Sequence, residues 1–169
     1  MTRRKLQALL DARRVDYVVY GHSPTFGAQK TAALLHLHGR EFAKTVVLRG
    51  NGRLLMVVLP APAHVDLARI RLLTGSAEVE LVSEGELSTL FPDAELGAMP
   101  PFGNLYGIPV LVDRQLAEQP RIVFNAGTHS EVIRMAFGDF FRLVQPTVVS
   151  IADDRSPASA APSESTHVS

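Results

Sequence analysis

A loop rich in glycine and proline contains the residue types that best fit a chemical role in this chain. Residues 95–104 read ELGAMPPFGN, in which Gly97 and Pro101 have the spacing Gly-x-x-x-Pro. Glycine lets backbone amides approach a ligand closely, and proline stiffens a loop because its ring fixes φ. Rigid backbone donors of this kind can bind a carbonyl oxygen or a developing oxyanion. The spacing by itself also fits a stiff surface connector.

Several other kinds of chemistry are excluded by the residues that the chain lacks. The sequence has no cysteine, which removes disulfides, thiolate metal sites and cysteine nucleophiles and fits a reducing compartment. It has no Gly-x-Ser-x-Gly elbow, Ser-x-x-Lys pair or phosphate-binding P-loop. His36 and His38 are two residues apart and do not share a helix face, so we predict no metal site.

Charge is balanced over the whole chain but not along it. Seventeen basic residues offset seventeen acidic ones, so no global positive field attracts nucleic acid from a distance. Residues 1–14 and 30–53 each hold five basic residues against one acidic residue, whereas residues 78–95 hold six acidic residues and no basic one. These blocks are typical of solvated faces, and a small phosphate-binding patch around Lys44 is the alternative interpretation.

The elements that must position these residues begin with a helix and a strand. Leu6, Leu9 and Leu10 form an apolar helical stripe, and the DYVVY segment alternates as a strand. A second helix is predicted over residues 25–38, ended by Gly39. Two apolar runs, residues 42–49 and 53–59, flank Asn51-Gly52, a dipeptide that favours a tight hairpin turn.

The rest of the chain mixes helices and strands. Ser83 and Glu86 form a capping-box pattern that opens a short helix ending at Phe91. Further helices are predicted over residues 65–73 and 137–143, and further strands over residues 77–82, 108–112, 121–125, 129–135 and 147–151. Hairpins together with alternating helices predict an α+β fold with a mixed, curled β-sheet surrounded by helices.

One domain and a tail account for the length of 169 residues. Residues 152–169 are rich in Ser, Ala and Pro and have too few large apolar residues for burial to offset the conformational entropy lost on ordering. We therefore predict a disordered tail after a domain of residues 1–151. No segment resembles a secretory signal or a spanning helix, and we expect a cytoplasmic protein without membrane association.

Four segments in this order resemble the YbaK/prolyl-tRNA-synthetase-associated domain family. They are His22-Ser23-Pro24, Ala43-Lys44-Thr45-Val46-Val47-Leu48, Gly97-x-x-x-Pro101-Phe102-Gly103 and Phe124-Asn125-Ala126-Gly127-Thr128-His129. The resemblance covers nearly all of residues 1–151, and the ordered set is far more specific than any one segment. It implies a barrel-like sheet and trans-editing hydrolysis of the ester between a wrong, small amino acid and the terminal adenosine of tRNA, most of all tRNA(Pro).

The resemblance also implies roles for individual residues. Lys44 corresponds to the family lysine that contacts phosphate near the terminal adenosine, and Gly97 to Pro101 to the loop that holds the aminoacyl carbonyl. Gly127 and His129 correspond to the wall of the amino-acid pocket; for His129, a hydrogen-bonding core histidine and a general base remain open. The expected catalytic set is Lys44, Gly97, Ala98, Met99 and Pro101. The expected substrate-binding set is His22, Phe26, Thr45, Phe102, Gly103, Gly127, Thr128, His129 and Met135. A plain core role is the alternative for Phe26, Thr45, Met99 and Met135.

An aminoacyl ester is already activated, so fixed amides and oriented water can cleave it without a nucleophilic side chain. In the family the ribose hydroxyl of the substrate helps to position the water, so we expect no metal and no cofactor. The expected partners are the acceptor end of aminoacyl-tRNA and an aminoacyl-tRNA synthetase. The alternative is a non-catalytic module that binds a tRNA acceptor end or an adenosine-like ligand.

Overall fold

The computed structural model describes residues 2–21 and 39–152. The helices are α1 (Thr2–Ala12), α2 (Leu67–Thr74), α3 (Glu84–Leu90), α4 (Arg114–Ala117) and α5 (Phe137–Val144), with a 3₁₀ turn at Gly103–Leu105. The strands are β1 (Tyr17–Gly21), β2 (Ala43–Gly50), β3 (Arg53–Pro60), β4 (Val79–Leu81), β5 (Val110–Asp113), β6 (Arg121–Asn125), β7 (Glu131–Ala136) and β8 (Thr147–Val149). None of the described helices is long and apolar enough to cross a bilayer.

The strands form two sheets, and the predicted α+β class is confirmed. One sheet has the order β1-β7-β6 and is antiparallel, whereas the other has the order β4-β2-β3-β5-β8 and is mixed. The sheets do not close into the barrel that the resemblance suggested. In the described part of the chain, backbone pairing between them is limited to one isolated bridge, Phe42 with Val123, so the two ladders stay separate.

The hairpin of β2 and β3, with its tight turn at Asn51-Gly52, is confirmed. Asn51 and Gly52 both have positive φ, 50° and 83°, as a two-residue turn that matches the strand twist requires. The turn sets the register, which pairs Lys44 with Leu59 and Thr45 with Val58. Strand β2 starts at Ala43, one residue later than predicted, because Phe42 bridges to Val123 in the other sheet.

The helix after β4 begins as predicted, but its capping box is only half formed. The Ser83 hydroxyl accepts a hydrogen bond from the Glu86 amide at 3.2 Å. The Glu86 carboxylate forms a bidentate ion pair with Arg49 on β2 instead of returning to the Ser83 amide. Because Arg49 lies on β2, this ion pair attaches α3 to the five-stranded sheet. The Gly/Pro loop follows α3 in the sequence.

Asp113 holds the C-terminal end of the fold. Its Oδ1 accepts hydrogen bonds from the amides of Ile151 (2.8 Å) and Ala152 (3.0 Å), and its Oδ2 caps α4 by accepting from the Gln115 amide at 3.0 Å. These bonds take the Ile151 amide away from the strand ladder, so β8 ends at Val149 and not at the predicted residue 151. The same carboxylate starts α4, a helix that the sequence pattern did not predict.

Ala152 belongs to the fold, one residue beyond the predicted domain boundary. It is buried, and it forms an isolated bridge with Val65. The predicted helix over residues 25–38 lies outside the described residues, as does the rest of the predicted tail, which remains a prediction.

Replacing Asp113 tests how much this anchor contributes. Asp113→Ala leaves three backbone amides without their acceptor, at a cost of about 1–3 kcal/mol for each donor that stays buried. We expect the free energy of unfolding to fall by about 3 kcal/mol in urea denaturation. Asp113→Asn keeps Oδ1 and should lose less than half of that. A loss under about 0.5 kcal/mol for the alanine variant would contradict the anchoring role.

Candidate functional site

Two loops that are distant in the sequence lie side by side, joined by backbone hydrogen bonds; we call residues 95–99 and 126–130 the paired loops. The Glu95 amide donates to the Gly127 carbonyl at 2.8 Å, and the Gly127 amide donates to the Ala98 carbonyl at 2.9 Å. The first loop follows α3, and the second joins β6 to β7. The structure therefore brings together the Gly97 segment and the His129 segment, as the resemblance implied.

Gly97 and His129 are in contact at the surface of the paired loops. Gly97 has a φ of +79°, and a Cβ built on it would lie 3.4 Å from His129 Cε1. The positive φ explains why this position takes glycine. Both residues are exposed, so a ligand from solvent can reach them.

The hydrogen bonds of His129 limit what its ring can do. Its Nε2 lies 2.6 Å from the Leu96 carbonyl oxygen, which only accepts, so Nε2 carries the proton and donates. Nδ1 is then the ring nitrogen left for any proton transfer. Because the side chain is exposed, His129 is not a hydrogen-bonding core histidine. The remaining roles are a surface beside the ligand and a base acting through Nδ1.

Of the backbone amides of residues 97–99, one donates a hydrogen bond within the loop and two are available to donate to a ligand. The Ala98 amide donates to the Glu95 carbonyl at 3.0 Å, and Ala98 is fully buried. Within the described ranges, neither the Gly97 amide nor the Met99 amide donates a hydrogen bond. Two available donors on one short loop are what a carbonyl or oxyanion site needs. Pro101, predicted to be part of this site, is buried and stiffens the loop behind them.

A cavity of about 240 Å³ borders the Gly97 loop. Thr45, Gly97 and Met99 are among its lining residues, together with apolar side chains of β2, β4 and α3. Glu84 and Glu95 add two carboxylates, and none of the described residues that line the cavity is basic.

The side chains of Lys44 and its neighbour Thr45 have different surroundings. Side chains alternate along a strand, so the Lys44 side chain lies on the face of β2 opposite to that of Thr45. Lys44 is not among the residues that line the cavity. Lys44 is partly buried, and the desolvation of its ammonium lowers the pKa of this group. No carboxylate in the described part of the chain pairs with it, which leaves a partly desolvated cation suited to an anion.

Three residues predicted to bind substrate lie in the core. Phe102 is fully buried, with ring centroids 5.5 Å from those of both Phe124 and Phe140. Met135 is buried in the same cluster. A Cβ on Gly103 would lie 2.3 Å from the Ile108 carbonyl oxygen, so this glycine permits a close backbone approach. All three are buried, and none of them lines the cavity beside the Gly97 loop.

The other predicted site residues are divided between the paired loops and the undescribed part of the chain. The Thr128 hydroxyl lies 3.1 Å from the Ser130 hydroxyl in the second loop. His22 and Phe26 lie outside the described residues, so their roles stay predictions.

Glu95 is the residue that sequence reasoning missed. Its carboxylate Oε1 accepts a hydrogen bond from the His129 amide at 2.6 Å, while its backbone bonds to Gly127 and Ala98. Two of these three hydrogen bonds, those to Gly127 and His129, join the loops, and the bond to Ala98 lies within the first loop. In the sequence it appears only as one member of an acidic block, and its position at the start of the Gly/Pro loop was the sole available signal.

Comparisons with known proteins identify the family and the fold of this chain. The model of the aminoacyl-tRNA editing domain family matches residues 22–143. A structure described as "Crystal structure of a putative trans-editing enzyme for prolyl tRNA synthetase" is 18% identical, with a TM-score of 0.76 over 90% of this chain and 97% of that one. The crystal structure of hypothetical protein APE2540 is 22% identical, with a TM-score of 0.77 over 88% of this chain and 99% of that one.

These likenesses to solved structures are likenesses of fold. No curated protein matches the chain. The family model covers well over half of the sequence and includes β2 and both paired loops. This chain belongs to the aminoacyl-tRNA editing domain family.

Proposed function

We propose that this protein is a trans-editing deacylase that hydrolyses the ester between a mischarged small amino acid and the terminal adenosine of tRNA. The observation that carries the proposal is the pair of available amides, Gly97 and Met99, beside the exposed His129 in a member of an editing-domain family. A neighbour in fold is named for prolyl tRNA synthetase, which supports tRNA(Pro) as the first substrate to test. Such a protein acts in the cytoplasm and works alongside a synthetase.

The Gly97 loop supplies the electrostatic part of the reaction. The ester carbonyl oxygen accepts hydrogen bonds from the Gly97 and Met99 amides, which polarise the carbonyl carbon. Water, positioned by the free ribose hydroxyl of the substrate, attacks that carbon, and the same amides bind the oxyanion as it develops. When the intermediate collapses, the ester oxygen leaves as a ribose hydroxyl after taking a proton, and the amino acid is released with a free carboxylate.

His129 and Lys44 bind and orient the substrate. The His129 ring, held by the Leu96 carbonyl, forms the surface against which the aminoacyl group lies. The Lys44 ammonium binds a phosphate near the terminal adenosine as a point charge. Because Lys44 does not line the cavity beside Gly97, the proposal requires a nucleotide that extends beyond the cavity to reach both residues.

The deciding assay uses a panel of mischarged tRNAs, with tRNA(Pro) carrying Ala or Cys first. Enzyme-dependent loss of the ester from at least one of them supports deacylation. Loss from none of them overturns the proposal. If a non-hydrolysable aminoacyl-adenosine analogue binds while no ester is lost, the protein is the binding module that the sequence left as the alternative.

Lys44→Met separates substrate binding from stability. A charge-assisted hydrogen bond to phosphate contributes about 1.5–3 kcal/mol, and partial exposure places this one at the lower end, so KM should rise about tenfold with little change in kcat. Lys5→Met, at an exposed lysine on α1, should leave KM unchanged. A wild-type KM for Lys44→Met would remove Lys44 from the site.

The pKa of Lys44 predicts an unusual stability effect for the same variant. Because its pKa is lowered on folding, the folded state disfavours the charged form. This cost is present at neutral pH and disappears as the pH rises through the folded pKa toward the unfolded one. Lys44→Met should therefore unfold at an equal or higher urea concentration than wild type at pH 7. A lower midpoint would show that the ammonium has a stabilising partner.

A further inference from the structure

The three-stranded sheet has one face in the main core and a second face outside it. On β7, Ile133 and Met135 belong to the main core. Val132 and Arg134 alternate with them along the strand and lie on the other side, where Val132 packs against Phe42. We call this second side the outer face. It is formed by Val18, Tyr20, Phe42, Val123, Val132 and Arg134.

Arg134 is held on the outer face by an aromatic ring. Its guanidinium carbon lies 5.8 Å from the centroid of the Tyr20 ring, which is a cation–π contact. The residues directly opposite it in the two ladders, Val18 and Val123, are apolar. None of the described residues accepts a hydrogen bond from its guanidinium. A planar fork of donors that is already held in position suits the oxygens of a phosphate.

No carboxylate in the described ranges neutralises Arg134. Arg121, on the same face of β6, pairs with Glu41 at 3.5 Å. Glu131 is the other charged residue of β7, and alternation along the strand places it on the opposite face. Asp16 is exposed just before β1 and forms no ion pair with Arg134. Arg134 therefore attracts an anionic ligand.

The outer face is continuous with Lys44 and with the paired loops. Phe42 belongs to this face, and Lys44, two residues later in the same extended segment, projects to the same side. Strand β7 begins at Glu131, directly after the second of the paired loops, so Arg134 lies about 10 Å along the strand from that loop. A nucleotide chain that leaves the Gly97 loop and reaches Lys44 can therefore continue onto the outer face.

From this geometry we propose that Arg134 binds a phosphate of the single-stranded 3′ end of tRNA, at least one nucleotide before the terminal adenosine. The inference rests on the proposed function, because it takes tRNA as the substrate, but it concerns binding and not ester cleavage. The Tyr20 ring holds the guanidinium, and two of its N–H groups donate to two phosphate oxygens. Lys44 and Arg134 then contact successive parts of the same strand.

Binding of uncharged tRNA(Pro) tests the inference without any ester cleavage. Fluorescence anisotropy of the labelled RNA should give a Kd about tenfold higher for Arg134→Met than for wild type, the effect of losing a charge-assisted hydrogen bond. The slope of log K against log salt should become shallower by about 0.7, the contribution of one phosphate contact with a single strand. Arg134→Lys keeps the charge but loses the fork, so its Kd should lie between the other two.

Arg53→Met is the matched control for this binding measurement. Arg53 is exposed at the turn of the β2–β3 hairpin, at the end of the hairpin away from Lys44. This variant removes the same charge and should bind tRNA(Pro) like wild type. Equal Kd values and equal salt slopes for Arg134→Met and Arg53→Met would overturn the inference.

Two substrates of different length separate this inference from the proposed function. Alanyl-tRNA(Pro) carries the upstream phosphates, whereas 3′-alanyl-adenosine carries none. For Arg134→Met, a KM about tenfold higher with the tRNA ester and unchanged hydrolysis of the adenosine ester would support the inference and show that the variant is folded. Equal losses with both substrates would contradict it. If the wild-type protein hydrolyses neither ester, the proposed function fails, and the comparison of tRNA binding still decides the role of Arg134.

Discussion

Gly97→Ala is expected to lower the deacylation rate about 10²–10³-fold, the cost of losing one donor to an oxyanion. Gly97 has a φ of +79°, where an added Cβ is strained, and that Cβ would lie 3.4 Å from His129 Cε1. The loop can relieve both problems only by moving, and movement takes the Gly97 and Met99 amides away from the carbonyl oxygen. Single-turnover deacylation with saturating enzyme measures the effect directly.

Gly107→Ala is the matched control. Gly107 also has a positive φ, +68°, but a Cβ there would meet nothing within 4 Å. Both variants should lose about 1–2 kcal/mol of stability from backbone strain. Only Gly97→Ala should lose activity beyond the fraction unfolded. Equal rates for the two variants would mean that the Gly97 loop is the stiff connector that its spacing also allowed.

Glu95→Ala is expected to reduce kcat about 10²-fold, because small displacements of a catalytic loop have effects of that size. The carboxylate bonds to the His129 amide across the paired loops and does not touch substrate in the proposed mechanism, so Glu95 is a positioning residue. The side chain is exposed, and stability should change by about 0.5 kcal/mol or less. The loss should therefore appear in kcat while the protein stays folded.

Two further variants separate positioning from charge. Glu95→Gln keeps an oxygen that accepts from the His129 amide and should recover most of the activity. Glu84→Ala removes the other carboxylate of the cavity lining and should keep the wild-type rate. The His129 Cε1 proton resonance should shift in Glu95→Ala and stay in place in Glu95→Gln. Wild-type kcat for Glu95→Ala would show that backbone hydrogen bonds alone hold the loops.

Elements defined by neighbouring residues were predicted closely. Strand β6 spans residues 121–125 in both prediction and structure, since an apolar run bounded by turn residues is a local signal. The Asn51-Gly52 turn is equally local, because its two positive φ values depend on those two residue types. Two of the boundaries that moved, at Phe42 and Ile151, lie where a distant residue takes a backbone hydrogen bond or a bridge.

The candidate site shows the same division. The ordered motifs placed Gly97 and His129 in one site, and the structure brings them into contact. Phe102, from one of these motifs, and Met135, a candidate outside them, were also predicted there, but both are core residues. Residue type does not distinguish an apolar side chain that lines a pocket from one that fills the core, because both avoid water for the same reason.

The sequence by itself determined the local elements, the exclusion of cysteine and triad chemistry, and the family. Tertiary structure alone decided that the strands divide into two sheets and that Glu95 connects the paired loops. The physical reason is the sequence separation over which each kind of interaction acts. Dihedral preferences and capping act between residues a few positions apart, whereas the Glu95–His129 bond joins residues 34 positions apart and exists only once the core has formed.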